Sequence, residues 1–225
     1  MTGGEQGAGG VEWREELVPV STRFDDPYFS LGNGLAETRH VFLAGNGLPA
    51  RFRPGFHIAE LGFGTGLNLL AALICWRAAG VPGVLRYTSF EAYPLDAATM
   101  TRAVQAFPEV LPLAVPLLDQ WTRGPRLRLP DLEAEVILGD ARLTLTGWDG
   151  QADAWFLDGF SPAKNPEMWS PDLMSDVARH TAPGGSFATY TAAGHVRRAL
   201  TAAGFRVERR PGHGTKRHMS IGVLA

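Results

Sequence analysis

Cysteine and lysine are nearly absent from this chain. Cys75 is the only cysteine in 225 residues, which excludes an internal disulfide and a cysteine-built metal cluster. Lys164 and Lys216 are the only lysines among 21 basic side chains. Neither sign of charge is in excess, since 23 acidic residues leave a formal net charge of −2. No global field draws the chain to nucleic acid or anionic lipid, so any such attraction must be local. Long apolar runs are missing as well. The longest, Leu69 to Trp76, falls far short of the ~20 residues that cross a bilayer. Residues 1–10 are glycine-rich, with no basic residue and no apolar stretch. We therefore expect a disordered tail there, no signal peptide, and a cytoplasmic protein with no membrane or metal partner.

What is present is a regular alternation. Hydrophobic residues make up 45% of the chain, enough for one sizeable core. Over 11–52 the pattern is mixed and predicts short strands and loops, with Leu35 to Leu43 either a helical turn or a strand. Beyond that, apolar runs predict strands over Phe56–Leu61, Leu85–Phe90, Glu135–Leu138, Ala154–Leu157, Gly185–Tyr190, Phe205–Glu208 and Met219–Leu224. Helical spacing predicts helices over 66–79, 94–107, 171–181 and 193–203, and 111–130 fits neither template. Strands alternating with helices imply a mostly parallel sheet covered on both faces. The last two strands have no helix between them, which predicts an antiparallel pair at one edge. The expected architecture is thus an α/β, Rossmann-like domain over 53–225. Its sheet would be seven-stranded and mostly parallel with an antiparallel edge strand, preceded by a small N-terminal extension over 11–52. That ending is the pattern of class I methyltransferases rather than of dinucleotide-binding dehydrogenases.

In such sheets ligands bind at the carboxyl ends of the strands. The first strand runs into Glu60-Leu61-Gly62-Phe63-Gly64-Thr65-Gly66-Leu67-Asn68. Its glycines permit a tight turn and close approach of a ligand, and the next helix aims its N-terminal amides at it. A glycine turn alone is a weak signal and also occurs without a ligand. Glu60 shifts the balance, because an acid suits a cationic or hydroxyl-bearing ligand better than a pyrophosphate. Glu91 lies 25 residues beyond Gly66 at the end of the second strand, where an acid binds the two hydroxyls of a ribose. Asp140 follows the third strand; there an acid can hold an adenine amino group, cap a helix, or do both. Together Glu60, Gly62, Gly64, Thr65, Gly66, Asn68, Glu91, Asp140 and Asp158 form the expected site for S-adenosylmethionine.

The fourth strand end carries the most specific run, Asp153 to Trp169, DAWFLDGFSPAKNPEMW. An acid followed by proline and aromatics suits transfer to an amine. The amine must be neutral to attack and gains positive charge as the new bond forms, so a carboxylate can orient it and accept its proton. Asp158 is the candidate. Phe160 and Lys164, in the same loop, join it as expected catalytic residues, Lys164 because both lysines fall in loops predicted at the active-site edge. From Ala192 to His218 seven basic residues face a single acid, Glu208. Such a patch can contact RNA phosphates or simply be a solvated face. Arg197, Arg198, Lys216 and Arg217 are the candidate phosphate contacts, and Tyr28, Phe160 and Trp169 the aromatics for stacking on an extruded base.

These residues resemble the methyltransferase domain of the bifunctional tRNA 5-methylaminomethyl-2-thiouridine biosynthesis family. The resemblance runs from Trp13 onward through STRFDDPYFS (21–30), GLAETRHVF (34–42), GFGTGLN (62–68), SFEAYPL (89–95), the 153–169 run and the tail from Thr191 to Arg217. Ser161, Glu167, Ala92 and His195 stand where the family pattern has Ala, Asp, Lys and Phe. The resemblance implies methylation of the exocyclic amine of 5-aminomethyl uridine at the wobble position, with the tRNA anticodon stem-loop as partner. The family's C-terminal flavin oxidase domain has no counterpart here, so the expectation is methylation alone, with a separate enzyme supplying the aminomethyl precursor. Three rivals follow from the same residues. An NAD(P)-dependent oxidoreductase shares the glycine turn and Glu91 but leaves Asp140 and Asp158 unexplained. An aminopropyltransferase needs an acidic polyamine pocket. A non-enzymatic tRNA-binding module has no use for four acids at strand ends.

Overall fold

The structure, a computed structural model, describes residues 10–30 and 33–225. Of the tail expected to be disordered over residues 1–10, residues 1–9 lie outside the described residues.

The described residues begin with three short antiparallel strands, β1 (Val11–Arg14), β2 (Val18–Ser21) and β3 (Asp26–Pro27). A helical segment follows: α1 (Gly34–Thr38), a π-helical turn over Arg39–Leu43 and a 3₁₀ turn over Ala44–Asn46. The alternative left open over Leu35–Leu43 thus resolves as helix, begun by the Asn33 side chain accepting from Ala36 N, an N-cap interaction. Val11, Leu35, Val41, Phe42, Leu43, Leu48 and Phe52 are buried in the same cluster as Phe56, Ile58 and Trp76, so residues 11–52 share the core of the main sheet.

The main sheet contains β4 (His57–Leu61), β5 (Leu85–Glu91), β6 (Arg126–Leu129), β7 (Leu132–Leu138), β8 (Ala152–Leu157), β9 (Thr181–Thr189), β10 (Phe205–Pro211) and β11 (His218–Leu224). Its order is β10-β11-β9-β8-β4-β5-β7-β6. The helices are α2 (Leu67–Ala79), α3 (Ala97–Val104), α4 (Leu111–Trp121), α5 (Ala141–Thr144), α6 (Pro171–Arg179) and α7 (Gly194–Ala202). β4 is buried along its whole length and β8 along nearly all of it, which is why both are mostly apolar, with His57, Glu60 and Asp153 as the polar exceptions.

Two expectations are corrected. Among the described residues the sheet has eight strands rather than seven, because β6 adds an antiparallel edge beside β7. Leu132, Ala134 and Val136 alternate inward, while Glu135 and Glu133 meet Arg126 and Arg128 across the ladder at 2.9 and 3.9 Å. At the other end the expected antiparallel pair forms, β10 against β11, but the antiparallel strand β11 lies between β9 and β10 rather than at the outermost position. The unassigned stretch at 111–130 is largely α4. Pro112 is tolerated in its first turn; Pro116 removes one helical hydrogen bond, offset by burial of Ala114 and Leu117 and by Trp121 Nε1 donating to Leu95 O.

Candidate active site

The chain reverses its winding around β4, with β5 on one side and β8 on the other, and a ligand crevice is expected at that point. A cavity of about 760 Å³ opens there, within the range of cofactor sites. The strand ends contribute Gly62, Gly64, Thr65, Asn68, Glu91, Asp140 and Asp158 to its lining. Segments outside the predicted set add Phe24, Asp26, Glu37, Thr38, Arg142 and Tyr190.

The turn after β4 has the backbone the glycines predict. Gly62 has φ +90°, and a Cβ there would lie 2.6 Å from the Asp158 carbonyl oxygen. Only glycine fits between the two strand ends. Gly66 (φ +77°) starts α2 and stays off the cavity wall, a correction to its expected contact with a ligand. Its place is structural, since a side chain there would press on Phe63 and Met100. Glu91 is held by two backbone amides, Gly64 N at 3.1 Å and Tyr93 N at 2.7 Å. Each carboxylate oxygen keeps a further lone pair for a diol.

A relay of side chains lies beneath this turn. Thr38 Oγ1 donates to Asn68 Oδ1 at 2.8 Å. Asn68 Nδ2 donates both to Glu60 Oε1 at 2.8 Å and to Asp158 Oδ2 at 2.6 Å. Ser89 Oγ donates to the other Glu60 oxygen at 2.8 Å. Glu60 is fully buried and does not reach the cavity, so its expected contact with a ligand is also corrected. Burial pushes its carboxyl well above the usual carboxylate range, the Asn68 bond opposes this, and the nearby Asp158 charge adds to it. Glu60 therefore positions Asn68, which in turn holds Asp158.

Asp158 opens into the cavity from the end of β8. Burial raises its carboxyl from 3.8 to about 7, against the Asn68 hydrogen bond and the Lys216 charge, both of which favour the ionised form. A carboxyl balanced near neutrality can accept a proton at working pH. The carbonyls of the loop that follows are already engaged. Gly159 O accepts from the Tyr190 hydroxyl at 2.8 Å, and Phe160 O accepts from Trp169 Nε1 at 2.9 Å.

Several predicted roles move. Lys164 does not line the cavity; its ammonium binds the Asp25 backbone carbonyl and, at 3.0 Å, Asp25 Oδ2. With Ser161 N donating to Asp26 Oδ2 at 2.8 Å, it clasps the 158–169 loop to the N-terminal hairpin, and this corrects its catalytic assignment. Trp169 is 2% exposed and cannot stack on a base; it braces Phe160 from inside. Phe160 lines the cavity, stacked on Phe24 at 4.7 Å with Tyr28 edge-on at 5.1 Å. Lys216 also lines the cavity. It is paired with Glu37 at 2.7 Å and lies over the Tyr190 ring. Asp140 caps α5 and its carboxylate is held by Arg142, which keeps it well ionised. Arg198 and Arg217 are exposed and Arg197 is half-buried, all outside the cavity. Glu37 and Phe24 had no local signal, because nothing in their neighbours' spacing marks them as cavity residues; for Tyr190 the signal was its place at the carboxyl end of a predicted strand.

Residues 111–225 match a family model described as S-adenosyl-L-methionine-dependent methyltransferase. The chain is 48% identical over 219 residues to the tRNA 5-methylaminomethyl-2-thiouridine biosynthesis bifunctional protein MnmC of Caulobacter sp. (strain K31), covering 91% of this chain and 36% of that protein. It is 45% identical to the protein of the same name from Chromobacterium violaceum, covering 92% and 33%. The chain thus spans about a third of the length of these curated relatives. Among solved structures it superposes on MNMC2 from Aquifex aeolicus with a TM-score of 0.76 at 26% identity, over 92% of this chain and 67% of that one.

Proposed function

The chain belongs to the S-adenosyl-L-methionine-dependent methyltransferases, and from that premise we propose that it methylates the amine of 5-aminomethyl-(2-thio)uridine at the wobble position of tRNA, giving 5-methylaminomethyl-(2-thio)uridine. The observation that carries the amine reading is Asp158, a half-buried carboxyl held at about 7 at the end of β8. The tRNA reading rests on the likeness to the MnmC proteins.

The cavity suits S-adenosylmethionine on its own chemistry. Glu91 presents a braced carboxylate to a ribose diol, and the amides at the start of α2 and the glycine turn allow close backbone approach. Gly62, Gly64, Thr65 and Asn68 form the floor, with Asp140 and Arg142 at the adenine end. When bound, the cofactor supplies a methyl group activated by a sulfonium. The chain's residues do the rest. An alkylamine is largely protonated near neutral pH, so its lone pair must be freed before it attacks. Asp158 accepts a hydrogen bond from the amine and takes up its proton, while Asn68 fixes the carboxylate in place. Phe24, Tyr28 and Phe160 supply an aromatic wall for the base. Arg197, Arg198 and Arg217 hold phosphates of the anticodon stem-loop, and the reaction takes place where tRNA is found, in the cytoplasm.

The test is methyl transfer from labelled S-adenosylmethionine to tRNA carrying 5-aminomethyluridine, followed by nucleoside analysis. Label should appear in 5-methylaminomethyluridine. Label absent from that nucleoside but present in another would refute the assignment.

A further inference from the structure

One charged cluster in the cavity lies beside the proton acceptor without being it. Glu37, on α1, is 8% exposed, and its Oε1 accepts from Lys216 Nζ at 2.7 Å. The same ammonium lies 4.0 Å from the centroid of the Tyr190 ring. Tyr190 is itself anchored through its hydroxyl to Gly159 O at 2.8 Å, the residue after Asp158. A carboxylate beside an aromatic face is a site for an alkylammonium ion. Here the chain's own alkylammonium fills it. Lys216 sits in the connection between β10 and β11, and its neighbours His213, Gly214 and Thr215 line the cavity as well.

We propose that Glu37 and Tyr190 form the seat that recognises the cationic amine of the substrate, and that Lys216 holds this seat until the substrate's ammonium displaces it. This rests on the amine-methylating reading. The incoming group and the lysine side chain are both primary alkylammonium ions, so one replaces the other at the same two partners. Removing the lysine with no replacement would leave a buried carboxylate unpaired, which is strongly unfavourable. Exchange of one cation for another avoids that state. It also discriminates, because a neutral group at the same position on the base offers nothing to Glu37. Lys216, once displaced, is next to the exposed Arg217, where a tRNA phosphate is its natural partner. The seated ammonium then gives its proton to Asp158, next to the Tyr190 anchor in the chain, and attacks as the neutral amine.

Ethylammonium is the probe, titrated by calorimetry with S-adenosylhomocysteine present. Lys216→Ala empties the seat and should bind ethylammonium about 10- to 100-fold more tightly than wild type, the scale of a hydrogen bond to a charged group. Lys216→Ala combined with Glu37→Gln should lose that gain. Equal affinity in all three proteins overturns the seat. Glu37→Gln alone should raise the KM for aminomethyl tRNA about tenfold or more, with S-adenosylhomocysteine affinity kept and partial recovery in Glu37→Asp; an unchanged KM also overturns it. Wild-type turnover of the same tRNA tests the methylation reading separately, since the ethylammonium titration requires no turnover.

Discussion

A carboxyl group held near pKa 7 behaves as two different side chains on either side of neutrality, and Asp158 is such a group. Only its ionised form accepts a proton, so kcat/KM should rise as pH climbs through about 7. Asp158→Asn should lower kcat by about 10²–10⁴, the range of a positioned acid–base group, and remove that limb of the profile. A variant with wild-type kcat across pH 6 to 9 would exclude Asp158 as the proton acceptor. The same shift has a consequence for stability. The folded-state value lies above the ordinary 3.8, so between about pH 4 and 7 the folded chain binds the proton more tightly than the unfolded one. Stability from this group is present at low pH and falls as pH rises through that window. Asp158→Asn should therefore melt higher than wild type at pH 8, with the gap closing toward pH 4. The displacement sets an upper limit of about 4 kcal/mol, or several degrees in Tm. Thermal unfolding at pH 4, 6 and 8 measures it, and a variant melting no higher at pH 8 contradicts it.

At the scale of elements, the turn from β4 into α2 joins fold and site. Gly62 is constrained twice, by its positive φ and by the Asp158 carbonyl 2.6 Å from where a Cβ would stand. Gly62→Ala must push β8 away from β4 and carry Asp158 with it. It should cost roughly 2–4 kcal/mol of stability, the range for strain combined with a core clash, and lower kcat as well. Gly80, which ends α2, also has a positive φ (+65°) but no atom within 4 Å of a Cβ. Gly80→Ala should cost about 1–2 kcal/mol from backbone conformation alone, with kcat unchanged. Urea unfolding and steady-state kinetics on the pair separate the effects, and a drop in kcat for Gly80→Ala of the same size as for Gly62→Ala would refute the coupling. The loop after β8 is secured on three sides, by Lys164 and Asp25, by Trp169 and by Tyr190, so the position of Asp158 depends on residues far from it in sequence.

Across the whole molecule, a net charge of −2 coexists with a basic tail. Such a balance keeps long-range attraction weak and leaves recognition of a polyanion to local contacts. Replacing Arg197, Arg198 and Arg217 together by Gln should raise the KM for tRNA and flatten its salt dependence, by about 0.7–0.9 in log–log slope for each phosphate no longer neutralised. Cofactor affinity should hold, because these side chains lie outside the cavity. An unchanged salt slope would make the tail a solvated face. Among the described residues no group of three or more His, Cys, Asp or Glu is placed to hold a metal, and no helix is long and apolar enough to cross a membrane.

The sequence by itself determined the central strands, the glycine turn and the acids at the strand ends. Each is written in adjacent residues: buried parallel strands need mostly apolar runs, a tight turn needs glycine, and a strand end exposes whatever follows it. It did not show α4, where two prolines mask a helix that packing supports, or β6, a four-residue edge strand defined by its antiparallel ladder with β7. The lysines mark the divide most clearly. Sequence placed both at the active-site edge, one catalytic and one on RNA. Tertiary structure paired Lys164 with Asp25, 139 positions away, and Lys216 with Glu37, 179 positions away. Local spacing cannot encode such partners, because a side chain's electrostatic environment is set by whatever the folded chain brings within a few ångströms of it.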